Sequence, residues 1–485
     1  MTAAYTPPGR HRSPEAFRAH WRSLGADLDC ALAPRGGAGP LGAPIALFGR
    51  TIAGRFAVQP MEGWDAEENG LPSALTRRRW RRFGRSGAPL LFGGEAFAVR
   101  EDGRANPRQL YANGREDSAG GLASLLAEWR AGRREAGVGD APAVAGLQLT
   151  HSGRFARPWA GRAAAPLRAS AHPVLDARFS VPPGLPLLTD GELEAIGEDF
   201  VRAASLAARA GFDFVDVKCC HGYLLHELLG AKERPGRYGG SFENRTLFFR
   251  RVVAAIRAAE KGLHVAVRVS LGDVFPHSAD PASGVGAPAG FDGAIAARFG
   301  FGVGEREPDL EEGLAFLGVV RKEGVSLVNV TLGSPYYCPH VQRPAFYPPS
   351  DGYLPPEDPL AGVARHVRAA RRAKAAFPDL AIVGTGYSYL QEWVAHVAEH
   401  EVGSGHADFA GLGRSMLSYP ELPLDVLAGR PLDRKKICRT FSDCTTAPRN
   451  ALRSGCYPLD PEYAALPDAA ALDAAKASAR ERLRR

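Results

Sequence analysis

Eight short apolar runs, separated by longer stretches with helical spacing, constrain this chain more than any other feature of its sequence. The runs are Arg55–Met61, Pro89–Gly94, Val144–Leu149, Phe212–Lys218, His264–Ser270, Ser326–Leu332, Leu380–Gly384 and Ala407–Leu412. Each spans about four to eight residues and most are rich in Val, Leu, Ile or Phe, as expected of strands buried on both faces. Between them, Gly191–Ala210, Glu243–Ala259, Leu310–Glu323 and Leu360–Ala376 carry apolar residues at helical spacing. At 485 residues the chain could hold roughly three average domains. The unbroken alternation instead predicts an α/β protein, a (β/α)8 TIM barrel over residues 43–430. Short extensions flank it. Residues 1–42 are rich in Pro, Gly and Arg around one helix (Pro14–Leu24), and residues 431–485 form a cysteine-bearing tail ending in an Ala/Arg-rich helix (Pro467–Arg484).

Composition narrows the class further. A hydrophobic fraction of 45% and a charged fraction of 23% exclude wholesale disorder. No stretch of eighteen apolar residues occurs and Met1–Pro14 lacks an apolar signal core, so a soluble, cytoplasmic protein with no membrane partner is expected. Seven cysteines, an odd number, suit a reducing compartment better than a disulfide framework. The net charge of +7 comes mostly from arginine. Its densest run, Arg77–Arg85, carries Trp80 and Phe83 at i, i+3 spacing, which reads as an amphipathic helix with a solvated basic face. No nucleic-acid partner is expected, and a homo-oligomer is left open.

Polar residues cluster where the strands end: Pro60-Met61-Glu62-Gly63-Trp64, Gln148 through Arg154, Lys218-Cys219-Cys220-His221-Gly222-Tyr223, Arg268, Gly384-Thr385-Gly386 and Gly411-Leu412-Gly413-Arg414. In a barrel these ends converge on one mouth, where such folds do chemistry. Two long Gly/Pro/Ala-rich segments, Gly153–Thr189 and Leu271–Gly302, follow strand ends and belong to the same face. Glycines after the seventh and eighth strands suit a phosphate held by backbone N–H groups, with Arg414 as counter-charge. A phosphorylated cofactor or substrate is implied, and these residues alone leave open which.

From about Ala43 to Ala428 the sequence resembles the old yellow enzyme family of FMN-dependent NADH:flavin oxidoreductase barrels, which includes 2,4-dienoyl-CoA reductase-like members. The resemblance is carried by Val58-Gln59-Pro60-Met61, Gln148-Leu149-Thr150-His151-Ser152-Gly153-Arg154, and His221-Gly222-Tyr223-Leu224-Leu225-His226-Glu227. It continues through Tyr238–Arg245 and from Ala407-Asp408 to Gly413-Arg414. It implies FMN, tight and non-covalent, with NADH or NADPH as reductant. It places Pro60, Met61, Glu62 and Ala96 along the flavin ring, Gln148 at its pyrimidine edge, and Arg268 beside N1 and O2. Gly384, Gly386, Gly413 and Arg414 fall at the phosphate. Lys218 and His221 occupy the family's substrate-oxygen pair, usually two histidines or His with Asn, and Tyr223 the proton donor. A carboxylate at Glu62 would oppose an anionic reduced flavin unless protonated or turned away. Trp64 matches a substrate-stacking aromatic.

The implied activity passes hydride from NAD(P)H through flavin N5 to an activated alkene, such as an α,β-unsaturated carbonyl. The same site run backwards is a flavin dehydrogenase or demethylase, and a non-catalytic ligand-binding barrel is the remaining alternative. Structural roles are expected for Cys219, Cys220 and the Glu243-Asn244-Arg245 group, and His151 is expected to cap a loop. Larger relatives carry a [4Fe–4S] cluster on four cysteines followed by further domains. Here Cys438, Cys444 and Cys456 match three of the four, with Phe441 and Ser442 near the missing position. No cluster, zinc or further domain is expected.

Overall fold

The computed structural model describes residues 5–482. Eight parallel staves close into a barrel: β1 (Phe56–Val58), β2 (Leu90–Leu91, resumed at Ala96–Ala98), β3 (Val144–Thr150), β4 (Phe214–Cys219), β5 (His264–Ser270), β6 (Leu327–Thr331), β7 (Ala381–Gly384) and β8 (Phe409–Leu412). Closure comes from β8 pairing with β1, Gly411 opposite Ala57. All eight expected runs overlap a stave, with β3 and β4 each running one residue further than expected. The second is interrupted: Leu90–Leu91 pairs with Val144 and Ala145, whereas Ala96–Ala98 pairs with Gln148 to Thr150. The chain bulges between them at Gly93-Gly94-Glu95, carrying the Glu95 side chain to Arg79.

Each stave is followed by a helix: α1 (Ala74–Arg85), α2 (Ser118–Glu135), α3 (Asp190–Ala210), α4 (Phe242–Ala259), α5 (Glu311–Lys322), α6 (Pro359–Ala376), α7 (Val394–Gly403) and α8 (Leu422–Leu427). Starts follow capping chemistry. Thr189 and Glu192 form a reciprocal capping box on α3, and Ser241 caps α4 through the Asn244 N–H. Within the start of α4, Arg245 reaches Glu312 and the Leu229 carbonyl, a structural network.

The basic run on α1 departs from its expected solvated face. Trp80 and Phe83 are buried, but so is Arg79, which bridges Asp65 and Glu95 at 2.8 and 2.7 Å. Arg78 grips Asp460 of the tail with two bonds of 2.8 Å. A buried guanidinium is tolerated because its fork is matched by two carboxylates.

The extensions at both ends pack against the barrel. The N-terminal helix (Pro14–Ser23) buries Phe17 and Trp21 in the main core, with the Phe17 ring stacked on Trp393 at 5.2 Å. A hairpin (Pro44–Leu47 with Arg50–Ala53) plugs the barrel floor, where Leu47 and Ile52 join Ala57, Leu90, Phe92, Phe214 and Phe409. In the tail, α9 (Asp443–Arg449) reaches the mouth, and α10 (Asp468–Arg482) packs beside it through Leu472 and a Lys476–Asp443 bridge of 2.8 Å. Residues 483–485, where the last expected helix ends, lie outside the described residues. Among the described residues no helix is long and apolar enough to cross a membrane.

α1 and α2 approach so closely that a Cβ on Gly84 would lie 2.0 Å from the Trp129 carbonyl oxygen, and one on Gly132 2.0 Å from that of Arg81. Backbone cannot swing aside as a side chain can. Gly84→Ala should therefore destabilise by about 1–3 kcal/mol and lower the thermal midpoint. Gly191→Ala, which meets nothing within 4 Å, should stabilise by roughly 0.4–1 kcal/mol. Equal midpoints for the two variants would contradict the close approach.

Candidate active site

The staves deliver their last residues to one cavity at the barrel mouth. Gln59, Pro60, Met61, Glu62 and Trp64 arrive from β1, Gln148 from β3, Lys218, His221 and Tyr223 from β4, and Arg268 from β5. Gly386 and Ser388 arrive from β7, and Gly413 and Arg414 from β8. Twelve of the expected site residues therefore line one wall or another. Ala96 and Gly384 do not. The Ala96 carbonyl accepts from Gln109 Nε2 at 2.7 Å, and that of Gly384 from Gln59 Nε2 at 3.2 Å, so both act through backbone beneath the surface.

One end of the cavity is built for an anion. Gly386 has φ +95°, a left-handed conformation that glycine adopts freely, and it leads the chain into Ser388. The Ser388 hydroxyl accepts from the Gly413 and Ser415 N–H groups at 3.3 Å each. Arg414 is half-buried, and its buried Nη1 has no partner among the described residues, while Nη2 donates to the Pro344 carbonyl at 2.7 Å. Burial, and then the neighbouring Arg343, lower its pKa to about 10. Two guanidiniums set side by side suit a multiply charged oxyanion such as a phosphate.

The opposite flank carries a polar layer fixed by strand register. Gln148 stands opposite Asp216, and Lys218 opposite Arg268. Asp216 accepts from Gln148 Nε2 and from the Arg268 N–H, both at 2.6 Å. Burial raises this carboxyl to about 7 against those bonds. The Gln148 amide nitrogen is thereby committed, which leaves its carbonyl oxygen for a ligand donor. Arg268 donates to the Pro60 carbonyl at 3.3 Å and keeps a buried Nε without a partner. Such orphaned buried donors are costly. They fit FMN, whose carbonyls, ring nitrogens and phosphate would complete Arg268, Gln148 and Arg414.

Across from that layer stand the substrate-side groups. His221 lies at φ +66° and Gly222 at +80°, a turn pinned by the His221 N–H donating to Ser270 Oγ and the Ser334 hydroxyl donating to the His221 carbonyl. Burial, then Arg268 and Lys218, drive the His221 pKa far down, so the imidazole is neutral. Tyr223 donates to Glu62 Oε2 at 2.7 Å, and its oxygen lies 2.9 Å from the Tyr336 hydroxyl. Burial first, then Glu62 and Tyr336, hold the Tyr223 phenol far above its ordinary pKa. Glu62 is turned toward these groups, its Oε1 accepting from Trp64 Nε1 at 3.1 Å and Asn106 Nδ2 at 3.2 Å. Burial lowers the Lys218 pKa, partly offset by Glu62.

Several wall residues have no place in the sequence reading. Tyr336, Gln342, Arg343 and Pro344 come from a third long segment after β6, signalled by Pro335-Tyr336-Tyr337 just past the sixth run. Pro448 and Arg449 come from the tail, beside Cys444, one of the three tail cysteines already singled out. Asp216 had a visible signal, an acidic residue inside an apolar run. Arg449 had none. His151 stays off the wall, its Nδ1 accepting from the Gly153 N–H at 3.1 Å, and burial lowers its pKa to about 4. Cys219 and Cys220 are buried packing residues. Of the tail cysteines, Cys438 and Cys456 are pushed up by burial and remain thiols, while Arg343 donates to Cys444 Sγ at 3.4 Å.

Residues 40–287 match the model of the NADH:flavin oxidoreductase / NADH oxidase family. An NADH:flavin oxidoreductase of Gibberella zeae is 34% identical over 148 residues, 28% of this chain and 36% of that protein. An NADPH dehydrogenase of Bacillus velezensis is 30% identical over 241 residues, 49% of this chain and 65% of that protein. The chain thus spans between about a third and two thirds of these relatives. Among solved structures, a 2-naphthoyl-CoA reductase superposes with a TM-score of 0.62 at 18% identity, covering 87% of this chain and 57% of that one. A histamine dehydrogenase from Rhizobium gives 0.62 at 21% identity, covering 86% and 52%. At such identities these two show the fold alone. The family match takes in just over half of the chain, including β1 to β5 with Gln148, Lys218, His221, Tyr223 and Arg268, and on it the chain belongs to the NADH:flavin oxidoreductase / NADH oxidase family.

Proposed function

We propose that this protein is an FMN-dependent oxidoreductase that takes reducing equivalents from NADH or NADPH and reduces an activated alkene. The observation that carries this reading is the division of one cavity into two flanks. On the cation-rich flank Arg268 and Arg414 keep donors to spare and Gln148 keeps its carbonyl oxygen, and the facing flank holds a neutral imidazole, a lysine and a high-pKa phenol. Bound on the first flank, FMN would supply reversible hydride acceptance and delivery at N5. Arg268 holds a fixed positive charge beside the ring. Lys218 and His221 hold the substrate's activating oxygen. Tyr223 holds a proton at its hydroxyl, ready for the carbon next to that oxygen. Pro60 and Met61 floor the site, and Trp64 covers a planar ligand.

A second reading, substrate oxidation by the same residues, is favoured by one contact. Because Tyr223 donates to Glu62, its oxygen can take a proton from substrate while its own passes to the carboxylate. Both readings require flavin. The purified protein should be yellow and release FMN on denaturation. A colourless protein that cannot be reconstituted would overturn them together.

Arg414→Ala and Arg268→Ala should each weaken FMN binding by ~10- to 100-fold, the worth of a charge-assisted hydrogen bond, measured by fluorescence titration of apoprotein. Tyr223→Phe should slow reoxidation of reduced enzyme by an enone by roughly 100-fold or more, while flavin reduction by NAD(P)H stays within about twofold. An unchanged reoxidation rate would remove Tyr223 from the proton-donor role. With three tail thiols rather than four, iron analysis should give well below one iron per chain.

A further inference from the structure

The end of α7 gathers three metal-ligand side chains where a helix ordinarily seats an apolar contact. Gly405, at φ +68°, closes the helix. Its N–H donates to the Val402 carbonyl at 3.1 Å, and the His406 N–H donates to the Glu401 carbonyl at 2.9 Å. This pair of bonds is a Schellman ending, which folds the residue after the glycine back onto the last turn. An apolar side chain commonly fills that place. Here the returning residue is His406, and it meets His400 and Glu401. One ligand atom from each of the three lies within 4.8 Å of the other two. The two imidazole rings stand edge to face, their centres 6.0 Å apart.

His406 Nδ1 shows what the cluster lacks. It is buried and without a hydrogen-bond partner among the described residues, yet it stands 3.3 Å from Glu401 Oε2. A ring nitrogen set beside a carboxylate but off the hydrogen-bonding line is unsatisfied. Around a tetrahedral ion with bonds of about 2.0–2.1 Å to nitrogen and oxygen, neighbouring ligand atoms stand ~3.3–3.4 Å apart, which is this spacing. Arg371 of α6 holds Glu401 from the other side, Nε to Oε2 at 2.7 Å and Nη2 to Oε1 at 2.5 Å. Such bonds orient metal-binding carboxylates and leave each oxygen a lone pair. Arg371 also donates to the Asp27 carbonyl at 2.8 Å and lies 3.6 Å from its carboxylate, so its charge is shared. Asp29 acts on His400 from the N-terminal segment, itself paired with Arg18 at 2.5 Å. The surroundings therefore carry matched charges rather than an excess of cations.

We propose that His400, Glu401 and His406 bind one divalent transition-metal ion of the zinc class and so clamp the turn between α7 and β8. Two imidazoles with one carboxylate suit such an ion better than calcium or magnesium. Water would take the fourth position, since the His406 side chain is 36% exposed. The turn leads into the first residues of β8, on the barrel floor and away from the mouth, so the proposal is independent of the flavin reading and of the tail cysteines.

Chelator-stripped, FMN-loaded protein without a histidine tag, dialysed against Zn2+ and assayed for bound metal, tests it in the parent, His400→Ala and His406→Ala. The parent should retain one zinc per chain with a dissociation constant of about 10 μM or tighter. Each variant should weaken binding by ~10-fold or more, as loss of a ligand requires. Zinc should raise the thermal midpoint of the parent and leave those of the variants unmoved, while without metal all three agree within about 2 °C. Co2+ in place of Zn2+ should give weak visible bands without the intense thiolate charge-transfer band that cysteine ligation would produce. Should one variant misfold, the other decides. No zinc retained at ~100 μM free metal, unchanged affinity in a folded histidine variant, or a thiolate band accounting for all the bound cobalt would overturn the proposal.

Discussion

The mouth hangs from the seam between β1 and β8. There Gly411 faces Ala57 and Leu412 faces Val58, and the Gln59 N–H continues the ladder to the Leu412 carbonyl at 2.9 Å. A Cβ on Gly411 would lie 1.9 Å from Gln59 Nε2 and 2.5 Å from the Gly384 carbonyl oxygen, so only glycine lets the three chains approach. Gln59 uses that space to bind the Gly384 carbonyl and Thr385 and to accept from Asn329 Nδ2 at 2.6 Å. This side chain ties β1, β6 and β7 together beneath the cavity. Once the seam is set, Pro60–Trp64 and Gly413–Arg414 must emerge side by side.

Around that frame the cavity is kept electrostatically unbalanced. Carboxylates in and under it are spoken for: Asp216 orients Gln148, and Glu62 answers Tyr223, while Asp65 and Glu95 hold Arg79 and through it the Glu62 loop, with the Gly63 N–H donating to Glu95 at 2.6 Å. The cations at the surface of the cavity are not so matched. Arg268 Nε and Arg414 Nη1 each keep unsatisfied donor capacity, which a protein tolerates where ligands will complete it.

Particular residues show how far the sequence could be read. Gln148, Lys218 and Arg268 were legible because each sits at the end of an apolar run, and in a parallel barrel strand ends and mouth coincide. Arg79 was misread as part of a solvated face, because helical spacing shows which residues are amphipathic but not that two carboxylates wait beneath one of them. Ala96 and Gly384 were assigned to the ligand surface, but each lies behind it. Asp216 hid inside its run as a pattern fault, and its meaning appeared only beside Gln148 and the Arg268 backbone.

Sequence alone determined the eight staves, their order and therefore the face that carries the chemistry, because burial on both sides of a parallel sheet forces compact apolar runs between helices. Only the tertiary structure decided what shares that face. Tyr336, Arg343 and Arg449 come from segments without periodicity, and Arg449 lies more than 220 positions along the chain from the Tyr223 it flanks, so no local pattern could bring them together. That Lys218 lies over the Tyr223 ring and near Glu62 is likewise a matter of three-dimensional neighbours. Charge pairing depends on distance in space, which the order of residues along the chain does not encode.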